Sequence, residues 1–334
     1  MNKLSRRTFL GAGTAALAIA AGQLGSSQRA TAQSSGQLNL YSSRHYDSDD
    51  LIYRGFTDRT GIKINLLEGK ADELIERIRS EGQNSPADVL MTVDVARLLR
   101  AEQAGILTPI DSSELERRIP ANLRHPEGLW FGLTKRARVL MHNGNVDPGV
   151  LTRYEDLAEP RWRGKVVVRS SSHVYNQSLV ASLIAHLGEA ATEEWCKGVV
   201  ANFARPPKGN DRAQITAVAA GQANIAIANT YYLPRYAPGG ANADPAIFNA
   251  VNILFPNQGD RGAHINISGA GVVKTGRNRD EAVRFLEYLT ELVSQSIFAE
   301  ANNEYPVVEG VPLAPVVESF GKFKEDSLNV AELG

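Results

Sequence analysis

The sequence predicts a two-lobed α/β protein. Three observations carry that prediction. From residue 37 onward, short apolar strands alternate with amphipathic helices. Near residue 129 the rhythm breaks, and it then begins again. The chain has 334 residues, 43% hydrophobic and 22% charged, which is enough for two packed cores.

Gln37-Leu38-Asn39-Leu40-Tyr41 reads as a strand followed by a polar loop, Ser42 to Asp47. Residues 48–59 read as a helix capped by Ser48 or Asp49. Ile62-Lys63-Ile64-Asn65-Leu66-Leu67 alternates as a strand, and Leu74, Ile75 and Ile78 give residues 71–81 helical spacing. Asp88-Val89-Leu90-Met91-Thr92 reads as a short buried strand before a helix over 94–104. This order implies a largely parallel sheet with helices on both faces.

Residues 129–133 and 138–142 read as two strands with no helix between them, a crossover into a second lobe. That lobe repeats the scheme with a strand at 165–169, helices at 177–186, 189–199 and 211–220, and a strand at 223–228. Strands at 251–255 and 271–273 and helices at 279–290 and 292–301 bring the chain back. No low-complexity linker intervenes, which favours several crossings over one tether. The expected division is residues 37–136 with 266–334 in one lobe and 137–265 in the other, with a ligand cleft between them.

Residues 1–32 read as a cleaved leader. Ser5-Arg6-Arg7-Thr8-Phe9-Leu10 resembles the twin-arginine export motif. An Ala/Gly/Leu-rich segment and the small-residue site Ala30-Thr31-Ala32 follow. The apolar run is too short and too rich in Ala and Gly for a ~30 Å hydrocarbon core. The mature chain is expected in the periplasm, as a monomer. The net charge of −1 gives no reason to expect nucleic acid or an anionic membrane as partner. The one cysteine, Cys196, has no internal disulfide partner and reads as a buried small hydrophobe.

Ligands in open α/β sheets bind beyond the carboxyl ends of strands. Three such ends carry tyrosines: Tyr46 after the first strand, Tyr175 after 165–169, and Tyr231-Tyr232 after 223–228. Phenolate is a hard anionic donor suited to Fe³⁺. Free Tyr is protonated at neutral pH, with a pKa of about 10, so binding must release protons. Four phenolates on Fe³⁺ leave one negative unit, which Arg44 and Arg235 stand near enough in sequence to offset. His45 is a candidate nitrogen donor. On a regular strand Tyr231 and Tyr232 point to opposite faces, so sharing one ion requires the chain to turn there. Any one of these tyrosines alone is read more readily as packing. Tyr41, Tyr53, Tyr154, Tyr236, Tyr288 and Tyr305 read as structural, and His142, His173, His186 and His264 show no paired ligand spacing. Residue types and spacing alone therefore reach a two-lobed α/β protein with a phenol-rich cleft.

Leu40-Tyr41-Ser42-Ser43-Arg44-His45-Tyr46, the Tyr175 loop and Asn229-Thr230-Tyr231-Tyr232 resemble the periplasmic ferric-iron-binding proteins of bacterial ABC transporters, the cyanobacterial FutA type above all. The similarity extends to Leu129-Trp130-Phe131-Gly132-Leu133 and Glu304-Tyr305-Pro306-Val307. The resemblance implies a class II, Venus-flytrap solute-binding fold, with a hinge between two doubly wound α/β lobes. It implies Fe³⁺ held by Tyr46, Tyr175, Tyr231 and Tyr232 and handed to an inner-membrane ABC permease, with Fe²⁺ a second candidate ion. His45 matches a position that is a ligand in some members and not in others. Relatives elsewhere add a synergistic anion such as carbonate or phosphate, for which four tyrosines leave less need. Two other readings compete. One keeps the fold and binds an organic solute such as a polyamine or thiamine. The other is an exported redox enzyme, for which no nucleotide, haem or cluster motif is present.

Overall fold

The computed structural model describes residues 36–334. The twin-arginine motif and the Ala30-Thr31-Ala32 site lie outside the described residues. Among the described residues no helix is long and apolar enough to cross a membrane.

The first three units form where their periodicity predicts. β1 (Gln37–Ser42) lies between β2 (Lys63–Glu68) and β3 (Val89–Thr92), parallel to both. α1 (Asp49–Thr60) starts after Ser48, with Asp49 and Asp50 at the positive end of its dipole. The Ser48 hydroxyl makes no cap; it donates to Asn302 Oδ1 at 2.8 Å. Gly61, at φ 73°, ends α1 in the left-handed region that glycine adopts without strain. α2 (Ala71–Glu81) buries Leu74, Ile75 and Ile78, each contributing about 1.5–3 kcal/mol. α3 (Val95–Gln103) is capped by Asp94, whose carboxylate accepts from the Ala96 amide. The short α4 (Ser113–Arg118) follows, capped by Ser112.

β4 (Phe131–His142) is one strand of 12 residues, not two. Lys135, Arg136 and Arg138 interrupt its apolar run, which is why the sequence reads as a break. The strand continues because those guanidiniums are buried against carboxylates. Phe131–Ala137 pairs with β8, and Arg138–His142 with β6.

The second half begins with β5, only Val166–Val167. α5 (Val174–Leu187), α6 (Glu189–Ala201) and α7 (Asp211–Ala219) lead to β6 (Ile225–Asn229). α8 (Pro245–Ala250) and β7 (Asn252–Leu254) come next. β8 (Ile265–Val272) is far longer than the strand expected at 271–273. Its glycines depress strand propensity but permit close packing: a Cβ on Gly269 would sit 2.6 Å from Phe131 O, and one on Gly271 2.5 Å from Leu129 O. α9 (Arg279–Leu289), α10 (Leu292–Asn302), β9 (Tyr305–Pro306) and α11 (Pro315–Glu318) follow, and a 3₁₀ turn over Val330–Leu333 comes last.

The strand order is β2-β1-β3-β8-β4-β6-β5, with β7 and β9 also on β4. The sheet is mixed rather than largely parallel. Parallel pairs occur at β2-β1-β3 and β5-β6, where helical crossovers connect them. β8 joins β3 and β4 antiparallel, and β4 joins β6 antiparallel. One core spans β1, β3, β8 and much of β4; a second gathers Leu140, Leu151, Tyr154, Trp162, Leu183 and Trp195. Cys196 is half-buried at the edge of the second rather than inside it.

Asp88 fastens the first half. Its carboxylate accepts from the backbone amides of Asn39 (2.8 Å), Arg277 (2.9 Å) and Asn278 (3.0 Å), and from the side-chain amides of Asn39 and Asn278. Asp88→Ala strands three amides, so we expect a loss of about 3 kcal/mol or more. This is measured as a lower urea midpoint at unchanged slope. A loss under about 1 kcal/mol would show that solvent replaces Asp88 as acceptor for these amides.

Candidate metal-binding site

Tyr231 and Tyr232 stand where β6 gives way to a short 3₁₀ helix, Thr230–Tyr236. The backbone turns there, and both rings fall on one side, their centroids 4.3 Å apart at 37°. Tyr175 lies in the first turn of α5 rather than in a loop. The helix starts earlier than residue 177 because His173 serves as N-cap, its Nδ1 accepting from the Tyr175 amide at 3.2 Å. Histidine is not among the usual cap residues, which hid that start. The Tyr231 hydroxyl donates to the Tyr175 hydroxyl at 3.1 Å. Tyr46, half-buried after β1, is near enough to Tyr175 and Tyr232 for their charges to bear on its ionisation, and Tyr231 feels all three. Four phenols from three segments thus share one neighbourhood.

Each shift among them has a physical cause. Burial raises Tyr46, and Glu304 raises it further against Arg44. Burial pushes Tyr175 up to about 12, opposed by Arg136. Tyr231 is held well above its usual value by burial, then by the charges its phenol neighbours would carry. All three are protonated at neutral pH.

His45 is exposed; its ring stacks beside Tyr46 at 5.7 Å, and its Nδ1 lies 3.4 Å from Ser43 O. Arg44 is buried over the Tyr46 ring at 4.8 Å, but it pairs with Asp49 at 2.9 Å and Glu304 at 3.2 Å. Its charge is therefore more than balanced before any phenol ionises. Arg235 donates to Asn242 Oδ1 at 3.4 Å.

Three further cations beside the phenols are ones the sequence reading missed. Arg136, Arg169 and Arg138 lie 5.2, 5.3 and 5.9 Å from the Tyr175 ring centre. Arg136 pairs with Asp94 at 3.0 Å; Asp211 receives Arg138 at 3.0 Å and Arg169 at 3.2 Å. Arg138 also reaches Asn176 and Asn229. Ser178, one turn beyond Tyr175, donates to Asp94 at 2.9 Å. Three cations and two buried carboxylates leave one positive unit under Tyr175. The signal for two of them was present: arginines at i and i+2 of an apolar strand share one face. Asp94, Arg136, Arg138, Tyr175, Asn229, His264 and Asn266 line a gap with no room for a water molecule. Arg136 Nε, Arg138 Nε, Asn229 Nδ2, His264 Nε2 and Asn266 Nδ2 have no partner there. Among the described residues, no cluster of three or more His, Cys, Asp or Glu is placed to hold a metal. The phenols are the hard-donor set on offer.

Residues 84–324 match the family of bacterial extracellular solute-binding proteins. Iron uptake protein A1 of Synechocystis sp. is 54% identical over 343 residues, spanning 100% of this chain and 95% of that protein. The solved structure of Trichodesmium IdiA (FutA), in complex with iron and citrate ligands, aligns at TM-score 0.86 and 60% identity, over 90% of this chain and 95% of that one. The ferric binding protein from Campylobacter jejuni aligns at TM-score 0.83 and 42% identity, over 89% and 94%. The fold is the class II periplasmic-binding fold of these structures.

The buried ion pair gives a test of the scaffold. Arg136→Met leaves Asp94 charged, buried and without its cation, so we expect a loss of about 3–5 kcal/mol. Adding Asp94→Asn, which keeps the α3 cap, should recover at least half of it. Urea unfolding of the single and double variants measures both. A single-variant loss below about 1 kcal/mol would show that the pair is dispensable.

Proposed function

The chain belongs to the bacterial extracellular solute-binding proteins, and from that premise we propose that Tyr46, Tyr175, Tyr231 and Tyr232 capture Fe³⁺ for uptake through an ABC permease. The observation that carries the site is the 3.1 Å Tyr231–Tyr175 hydroxyl bond beside the paired rings of Tyr231 and Tyr232. Neutral phenols already in contact need only exchange protons for a trivalent cation. Phenolate oxygen is the hard donor that Fe³⁺ favours.

Charge supports the same reading. Four phenolates around Fe³⁺ leave one negative unit, and the guanidinium cluster under Tyr175 carries one positive unit. Arg44 with Asp49 and Glu304 carries one negative unit beside Tyr46, so compensation falls to the Tyr175 side. Arg235 and His45 are outer neighbours in this reading.

Residues 37–136 with 266–334 act as one lobe and 137–265 as the other, hinged where β4 and β8 pass between them. Tyr46 then belongs to the first lobe and the other three phenols to the second. Closure around the ion joins them and presents the surface a permease engages. The protein works as a periplasmic monomer, and its export by the twin-arginine route rests on Ser5-Arg6-Arg7-Thr8-Phe9-Leu10. An organic cation would need free carboxylates. Here Asp49, Asp94, Asp211 and Glu304 are already paired with arginines.

Titration with Fe³⁺ should raise a visible charge-transfer band that acid abolishes; a colourless titration overturns the reading. Tyr232→Phe should weaken iron binding by more than the roughly 10–100-fold typical of an outer partner, with the urea midpoint unchanged. If stability falls instead, Tyr232 is packing.

The pH dependence has a fixed sign. The raised phenol pKa values keep these groups protonated in the free protein, so iron must displace protons. Apparent affinity should fall as pH falls, by up to about tenfold per unit for each phenol displaced. Affinity flat between pH 8 and 6 would rule out tyrosinate ligation.

A further inference from the structure

A pocket of about 310 Å³ opens between α5, α6 and the end of β5. Val168, Leu179, Trp195, Val199, Phe203 and Ile227 form its apolar wall, with Arg169, Ser171 and Asn176 also lining it. No carboxylate lines it. Arg169 donates to Asp211, but that carboxylate also holds Arg138, so one acid serves two guanidiniums. The Arg169 Nε is buried and has no partner. An apolar slot thus ends at a cation that is only partly compensated.

The geometry points to a binding site for a medium-chain carboxylate, its tail in the apolar wall and its head at Arg169. The volume lies at the lower end of ligand pockets, about 300–1,000 Å³. At about 30 Å³ per water-sized group it holds roughly ten heavy atoms, the size of octanoate. A second acidic function has no complement in the wall, and an amine head meets the wrong sign of charge. This site does not rest on the iron reading. It does share Arg169 with it, because that guanidinium lies 5.3 Å from the Tyr175 ring centre.

The test titrates octanoate into the iron-free mature protein, with affinity read by calorimetry and location by Trp195 fluorescence. Saturable binding is expected, with a fluorescence change that is lost in Trp195→Phe. Octylamine should bind at least about tenfold more weakly. Val200 lines the mouth and is 60% exposed, so Val200→Trp should fill the pocket without disturbing the core. That variant should lose octanoate binding about tenfold or more and keep the iron titration of the parent. No saturation below the micelle concentration overturns the site. Equal binding of octylamine overturns the head-group assignment. Undiminished octanoate binding in Val200→Trp overturns the location.

Discussion

Two guanidiniums inside the sheet set the terms for what surrounds them. Arg136 and Arg138 are each 2% exposed, on one face of β4. A buried charge without a partner costs several kcal/mol even after relaxation. Each therefore requires a carboxylate, and the carboxylates come from elsewhere in the chain. Asp94 is held at the cap of α3 and Asp211 at the first residue of α7. Asn176 on α5 and Asn229 at the end of β6 complete the set. One strand with two charges thus fixes four other elements, and the two halves of the sheet meet along it.

The same charges govern the phenols. Tyr175 sits against three guanidiniums and still titrates only near 12, because burial outweighs Arg136. Tyr46 has Glu304 working against it as well. Left to themselves these hydroxyls stay neutral and bond to one another, as Tyr231 does to Tyr175. A trivalent cation reverses the balance, since its field at a bonded oxygen far exceeds what burial takes away. In the proposed site the phenols rest as a cluster of O–H groups and become anionic only with the ion in place. That is the property required of a carrier that must also let go.

Most of the helices were legible in the sequence because their apolar spacing is strong. α2 falls on the expected residues 71–81, and α6, α7, α9 and α10 begin where expected or within a residue or two. The strands that carry function were legible only in part. β4 looked broken because its centre is charged, and β8 looked shorter than it is because Gly269 and Gly271 weaken its pattern. Both are read correctly only once their neighbours are known: Asp94 and Asp211 for the arginines, Phe131 and Leu129 for the glycines. The four tyrosines stood out because strand ends in α/β sheets face ligands. Their electrostatic partners stood out only in part: nearness in sequence pointed to Arg44, which lies over the Tyr46 ring, and to Arg235, but not to the arginines around Tyr175. Contact across the sheet puts Arg136, Arg138 and Arg169 beside Tyr175 instead, 37 or 39 residues earlier in the chain for the two on β4 and six for the third.

The gap behind Tyr175 bears on how such a site opens. Five buried polar atoms surround it without partners, and it has no room for water. An unmet donor of this kind costs about 1–3 kcal/mol, so this arrangement carries a standing cost at the place where the halves of the sheet meet. Any separation that admits water relieves it. Under the proposed assignment of the phenols, an ion shared by Tyr46 on one side and Tyr175, Tyr231 and Tyr232 on the other is what holds the two sides together. On that proposal the unpartnered atoms favour opening in the absence of cargo, and the phenols favour closing in its presence.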